Sequence, residues 1–210
     1  SLPNGLDEVT KDYHDRWRQR GSLPPEIAAQ VPAGAQPYAD LVNLNKWRTL
    51  GRGIRAEVDG IPIVGLLDDL IAWPGGSKVS PYDFKSRKSI PPAGYAGKYY
   101  QTQVDCYHLL LAANGFQPDG MAYFSFWSPA EIDLHDAGLP KVPVHFDVTV
   151  QCLPTSPDEA ARLVREAAAC LRATDPPPPG PECQQWIYIK GRSVLEAQLA
   201  AVTEVVSAKA

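Results

Sequence analysis

The stretch from Gly65 to Tyr107 leaves this chain few ways to fold. It reads Gly65-Leu66-Leu67-Asp68-Asp69, then Asp83-Phe84-Lys85-Ser86-Arg87-Lys88, then Gln101-Thr102-Gln103-Val104-Asp105-Cys106-Tyr107. Carboxylates close two apolar runs, a lysine follows the second carboxylate at i+2, and a glutamine and a tyrosine stand four apart. Asp59-Gly60 between Ile54–Val58 and a long apolar run is a two-residue hairpin signal. Pro74-Gly75-Gly76 is a second turn, and Lys78 to Ser86 reads as a third strand. The expectation is a three-stranded meander, Ile54–Val58, Ile61–Trp73 and Lys78–Ser86, that sets Asp68 and Asp83 close together across a ladder.

Ahead of that stretch, a helix from Asn4 (its cap) to about Arg20 is expected, with Asp7 and Glu8 in the first turn and Leu6, Val9, Tyr13 and Trp17 as its apolar face. Arg16, Arg18 and Arg20 then fall on the solvated face. Gly21 ends that helix, Pro24-Pro25 starts a short element, and Ala33 to Tyr38 is loop. From Leu41 to Ala56 every charge is basic: Lys46, Arg48, Arg52 and Arg55 form either a phosphate-contacting edge or an ordinary solvated strip. A helix from about Ala93 to Asn114, closed by Gly115, carries Gln103 and Tyr107 on one face with Tyr100 and Leu111. Gly120–Trp127 and Val142–Cys152 are two more strands. Ser156-Pro157-Asp158-Glu159 starts a helix to about Ala173. Beyond it come the proline-rich spacer Asp175–Pro181, an aromatic segment 182–188, and a last helix from Ser193 to about Val206 with Ser193 and Glu196 as a capping box.

At 210 residues and 44% hydrophobic content, the chain can bury a core as one medium domain, residues 1–174, with a tail (175–210) packed on it. The 20 basic and 24 acidic side chains argue against retention on nucleic acid by bulk positive charge. Apolar runs are strand-sized, no leader pattern opens the chain, and no membrane association is expected. The start at Ser1 suggests a fragment or processed chain. Cys106, Cys152, Cys170 and Cys183 form no Cys-x-x-Cys pair, so reduced thiols in a cytoplasmic protein are expected.

Phosphodiester cleavage needs a nucleophilic water at neutral pH and relief of the charge on phosphate and leaving oxygen. One or two Mg²⁺ or Mn²⁺ ions held by one or two carboxylates supply both. Asp68 and Asp83 fit as those carboxylates. The period of a strand puts Asp83 and Lys85 on one face and turns the Phe84 side chain away, leaving the Phe84 carbonyl as a further oxygen ligand. Lys85 can orient the water or stabilise transition-state charge. Gln103 can position water or phosphate, and Tyr107 can bond the lysine or stack near the scissile nucleotide. Asp69 and Gln101 fall outside the site by spacing.

The order Gly-x-x-Asp, turn, Asp-x-Lys, then Gln-x-x-x-Tyr on the next helix resembles the PD-(D/E)XK nuclease superfamily. Within it, the resemblance is to the RecB-like branch that includes the iron–sulfur exonucleases of CRISPR adaptation. The resemblance implies an α/β restriction-endonuclease-like core, a central mixed sheet of about five strands flanked by helices. It implies a Mg²⁺- or Mn²⁺-dependent deoxyribonuclease, exonucleolytic in mode. Asp68, Asp83 and the Phe84 carbonyl would be its metal ligands, Lys85 the catalytic lysine, and Gln103 and Tyr107 supporting residues. DNA would be the partner, alongside a protein of DNA repair, recombination or CRISPR adaptation. Relatives often place a histidine or acid on the first helix as another ligand. No histidine follows Gly5 at that place, so Asp7 or Glu8 would serve. Cys183 is followed by Gln184, Gln185 and Trp186 where a cluster would need a second cysteine, so no iron–sulfur cluster is expected. Trp186, Ile187 and Tyr188 would substitute apolar packing for it. A non-catalytic nucleic-acid-binding or assembly module on the same fold, and a hydrolase of smaller phosphate esters, remain as alternatives.

Overall fold

The computed structural model describes residues 2–75, 78–132, 143–175 and 177–207. The chain divides into two compact units, residues 1–168 and 169–210, with the boundary inside a helix. The turn between the first two central strands follows from local chemistry, while Gly76 of the expected second turn lies outside the described residues. Asp59 and Gly60 adopt φ of 49° and 77°, the pair of positive values a type I′ hairpin demands, and join β2 (Ile54–Val58) to β3 (Ile61–Gly65) in a two-stranded antiparallel sheet.

The expected strand Ile61–Trp73 is two strands. The chain leaves β3 at Gly65, and β4 (Asp69–Ala72) joins a different, larger sheet. The break at Leu66-Leu67-Asp68 is stable because each of these residues finds a non-ladder partner. The Leu66 carbonyl accepts from the Tyr107 hydroxyl at 2.5 Å, and the Leu67 N–H donates to the Trp47 carbonyl at 3.3 Å. The Asp68 carbonyl accepts from Arg48 Nε at 2.6 Å. Leu67 itself is fully buried.

The larger sheet is mixed, in the order β1 (Gln36–Pro37), β4, β5 (Lys78–Ser86), β7 (Met121–Ile132), β8 (Val144–Pro154). The short β6 (Gln117–Pro118) lies alongside the start of β5. β4–β5 and β7–β8 are antiparallel. β5 and β7 are parallel, the arrangement that requires a crossover, here made by α4 (Tyr95–Ala113). Gly94 and Gly115, at φ 77° and 84°, bound that helix in the left-handed region where glycine carries no Cβ penalty.

Apolar clusters lie on both faces of this sheet. One gathers Ile54, Leu67, Leu70 and Val79 with Tyr107, Leu110 and Leu111 of α4. A second places Ala122, Phe124, Phe126 and Leu153 with Ala96 and Val104 of the same helix. The third packs Ile71, Tyr82, Phe84 and Tyr123 with Leu23 and Ile27, the latter on α2 (Pro25–Ala28). Alternation along β5 therefore turns Asp83 and Lys85 towards α4 and Phe84 away from it.

α1 (Leu2–Gln19) departs from expectation. It begins two residues before Asn4, which is thus inside the helix and not its cap, and Asp7 and Glu8 lie beyond its first turn. Val9 is 66% exposed, while Thr10, His14 and Arg18, at four-residue steps, are buried. The helix inserts a polar stripe, and Arg18 is not solvated. α3 (Leu41–Arg48), capped by Asp40 accepting from the Asn43 N–H at 3.0 Å, carries part of the basic strip. Its Arg48 is turned inward.

α5 (Pro157–Arg172) starts at Ser156, whose hydroxyl caps the Glu159 N–H at 3.3 Å. In the second unit, α6 runs unbroken from Gln184 to Ser207. Ser193 is inside it, its hydroxyl donating to the Ile189 carbonyl at 3.1 Å, so it caps nothing. Within that unit Trp186, Ile187 and Tyr188 are 39%, 53% and 67% exposed. All four cysteines are free thiols. Among the described residues, no helix is long and apolar enough to cross a membrane.

Candidate active site

Asp68 is fixed by its backbone before its side chain does anything. The three bonds at Leu66, Leu67 and Asp68 anchor the sheet-to-sheet crossing, and Gly65 permits it: a Cβ there would stand 2.6 Å from Leu110 Cδ1. The β4–β5 ladder pairs Asp69 with Tyr82. One step further in that register, Asp68 comes opposite Asp83. Asp68 Oδ2 accepts from the Phe84 N–H at 3.4 Å, so the Phe84 peptide lies beside the Asp68 carboxylate. The pairing expected from the turn-linked strands is met, with Asp68 in the break and not within a strand.

Asp83 is 2% exposed. Its Oδ1 accepts from Gln103 Nε2 at 2.7 Å, and Lys85 Nζ stands 2.5 Å from its Oδ2. Lys85 is the cation that faces Oδ2, a buried oxygen that no other described residue bonds. Burial first, then the Asp68 charge, push the Asp83 carboxyl well above the usual carboxylate range, against the pull of Lys85 and Gln103. The Lys85 ammonium also lies 4.8 Å from the Tyr100 ring centroid, a cation–π contact made by the same head group that faces Asp83.

Gln103 and Tyr107 act as a relay of position. Gln103 Nε2 also donates to the Tyr107 hydroxyl at 2.8 Å, and that hydroxyl donates to the Leu66 carbonyl. One chain of hydrogen bonds thus ties Asp83 to the break that carries Asp68. Tyr107 is 8% exposed and its hydroxyl is committed to Gln103 and Leu66; the tyrosine against Lys85 is Tyr100. The helical period marks Tyr100 as part of the same stripe, but not its partner.

Asp7 reaches the site through a lysine. Lys11 Nζ stands 2.8 Å from Asp7 Oδ2 and 3.0 Å from Asp68 Oδ1, so α1 contributes a cation as well as an acid. Burial lowers the affinity of Lys11 for its proton, but Asp68 and Asp7 outweigh it and hold the ammonium above its ordinary pKa. Glu8 is exposed, and no contact brings it to Asp68 or Asp83. Nothing local in the sequence marks Lys11, since its partner lies in a strand break.

Behind the site is a buried ionic layer. Arg18 Nη2 stands 2.5 Å from Asp69 Oδ2, Arg48 pairs with Asp15 at 2.7 Å, and Arg48 Nη2 is 3.6 Å from Asp69. Arg18 also donates to the Tyr38 carbonyl. Arg48 is therefore a buried scaffold residue and not part of a phosphate-contacting edge. Asp69 supports the site without entering it, and Gln101 bonds Asp105 and the Pro154 carbonyl, away from the carboxylates. His14, stacked 4.3 Å from Phe84, sits in this layer. Burial first, then Arg18 and Arg48, lower its pKa to about 3, so it is neutral.

The donor set suits a hard divalent cation. Two facing carboxylates, one of them buried with an oxygen bonded by no described residue but Lys85, match the one or two carboxylates by which Mg²⁺ is held while it keeps its waters. Among the described residues, no group of three or more His, Cys, Asp or Glu side chains forms a fuller cage. A small cleft of about 40 Å³ opens beside Asp7, Thr10 and Phe84. No family model, curated protein or solved structure matches this chain.

Proposed function

We propose that this protein is a Mg²⁺- or Mn²⁺-dependent deoxyribonuclease that digests DNA exonucleolytically, on a restriction-endonuclease-like core of the RecB-like PD-(D/E)XK kind. The observation that carries the reading is the approach of Asp68, in the break just before β4, to Asp83 on β5, with Lys85 against the buried one. Asp68, Asp83 and the Phe84 carbonyl would hold the ion, which when bound supplies Lewis-acid neutralisation of phosphate charge and a more acidic water. Gln103 keeps Asp83 in one rotamer, and Tyr107 keeps Gln103 in place. Lys85, beside Asp83, would offer its ammonium to the phosphate oxygen or the attacking water. Tyr100 limits the volume its ammonium explores.

A second reading, a non-catalytic nucleic-acid-binding module on the same scaffold, has one observation in its favour. Lys11 already neutralises Asp68, as a site that needs no metal would have it. One assay separates the two. Labelled linear single- and double-stranded DNA is incubated with Mn²⁺ or Mg²⁺, and with EDTA, using the wild type, Asp83→Asn and Lys85→Ala. The nuclease reading expects metal-dependent shortening by the wild type alone; intact DNA in every lane would overturn it, and salt-dependent DNA binding without product would then favour the binding module.

A further inference from the structure

Beyond the carboxylates, the ends of β7 and β8 carry a groove of about 390 Å³ that no step above uses. Its walls are Leu6, Trp127, Pro129, Val144 and Phe146, and Arg87 and Lys88 stand at its rim. Trp127 and Phe146 meet edge to face, with ring centroids 6.2 Å apart, and both remain partly exposed. Val144, beside them, is 42% exposed. The groove shares Leu6, Ser86 and Trp127 with the small cleft at Asp7 and Phe84, so its surface runs on into the edge where Asp7, Lys11 and Asp68 meet.

Two features select the occupant. The lining is apolar and aromatic, the composition on which bases stack regardless of their identity. The rim is cationic on a chain whose net charge is −4. The Arg87 guanidinium lies 3.9 Å over the Tyr95 ring, and its buried Nη1 has no hydrogen-bond partner among the described residues. The partly exposed Arg87 side chain and the exposed Lys88 open onto the groove, where a phosphate oxygen would pair with them. An apolar peptide would offer those cations no anion, and a stacked duplex offers no free base faces.

We propose that this groove is a stacking subsite for single-stranded DNA, which takes one or two unpaired bases against Trp127 and Phe146 and their phosphate on Arg87 and Lys88. It rests on the nuclease reading for its purpose: a strand held here passes to the carboxylates with its bases already splayed. Substrate choice then favours single strands or frayed ends over blunt duplex.

Fluorescence anisotropy in EDTA tests the subsite without turnover. The probes are a labelled oligothymidylate, a strand of abasic sites of the same length, and a duplex. Trp127→Ala and Phe146→Ala should each weaken oligothymidylate binding about 5- to 150-fold and leave the abasic strand unchanged. Trp127→Phe, which keeps a ring, should recover most of the loss. Arg87→Ala with Lys88→Ala should weaken both single strands and reduce the salt slope by about 0.7 for each phosphate no longer neutralised. Phe146, on the edge strand, provides the second variant should Trp127→Ala lower the melting temperature. The proposal is overturned if the aromatic variants bind oligothymidylate like the wild type, if the abasic strand loses equally, or if duplex binds more tightly than oligothymidylate. The nuclease reading is scored separately by wild-type cleavage of oligothymidylate with Mn²⁺. Cleavage with no dependence on the aromatic pair sinks only the subsite, and stacking-dependent binding without cleavage sinks only the nuclease.

Discussion

Replacing Arg18 by methionine should cost this protein far more than the loss of a surface charge. The Arg18 and Asp69 side chains are 4% and 3% exposed and 2.5 Å apart, so no solvent screening discounts the pair. Removing the arginine leaves a buried carboxylate with the Leu70 N–H at 2.7 Å and Arg48 at 3.6 Å as its remaining partners. Breaking one side of such a pair costs about 3–5 kcal/mol, and the surviving Arg48 puts the expectation at the low end, about 3 kcal/mol. At about 2–4 °C per kcal/mol for a chain of this size, the melting temperature should fall by about 6–12 °C. Burial already raises the Asp69 carboxyl above its ordinary pKa, against Arg18 and Arg48, and removing Arg18 raises it further. A group whose folded pKa is raised is protonated more readily in the folded state. The deficit of Arg18→Met should therefore shrink as pH falls from 7 towards the unfolded carboxylate value of about 3.9. The double variant Arg18→Met/Asp69→Leu should lose less than Arg18→Met alone. Urea unfolding at several pH values measures all three. A loss under about 1 kcal/mol at pH 7, or additive costs in the double variant, would refute the buried ionic layer as described.

Three further outcomes follow from single side chains. His14 is neutral in the folded protein at a pKa of about 3, so its contribution is complete above pH 6.5 and is lost as pH falls towards 3; at pH 5 this amounts to about 2 kcal/mol. The difference in melting temperature between wild type and His14→Phe should accordingly change in favour of the variant between pH 7 and 5. Gly65→Ala would force a Cβ to 2.6 Å from Leu110 Cδ1 and 3.4 Å from Tyr107 Cε1, an overpacking cost of about 1–3 kcal/mol readable in the urea midpoint. Tyr107→Phe leaves the Leu66 carbonyl without its donor, which should cost about 1–3 kcal/mol, again by urea unfolding.

The parts of the fold that could be read in advance are those governed by neighbours in sequence. Asp59-Gly60, the alternation of β5 and the glycine after α4 each carry their own turn or period chemistry. Ile61–Trp73 could not be divided correctly, because its apolar character is continuous while its hydrogen-bond partners change from β2 to β5 at Leu66. The donors and acceptors that stabilise the break, from Trp47, Arg48 and Tyr107, are distant in sequence. α1 misled for a related reason. Thr10, His14 and Arg18 have the composition of a solvated face, and only Asp69 and Phe84, more than fifty residues away, make them a buried one. The same logic divides the site. Asp83, Lys85 and Gln103 were legible because strand and helix periods bring them together, whereas the position of Asp68 in the break, Lys11 and the Tyr100–Lys85 contact depend on tertiary packing.

Manganese binding followed by electron paramagnetic resonance tests the division of labour at the site most directly. The two carboxylates are assigned to the ion, and Lys85 to the phosphate or water. Wild type should bind Mn²⁺, and Asp68→Asn and Asp83→Asn should each lose most of that affinity. Lys85→Ala should bind Mn²⁺ at least as tightly as wild type, because the competing ammonium 2.5 Å from Asp83 is gone, yet fail to cleave DNA. A wild type that binds no Mn²⁺, or an Asp83→Asn variant that binds it as tightly as wild type, would contradict the assignment.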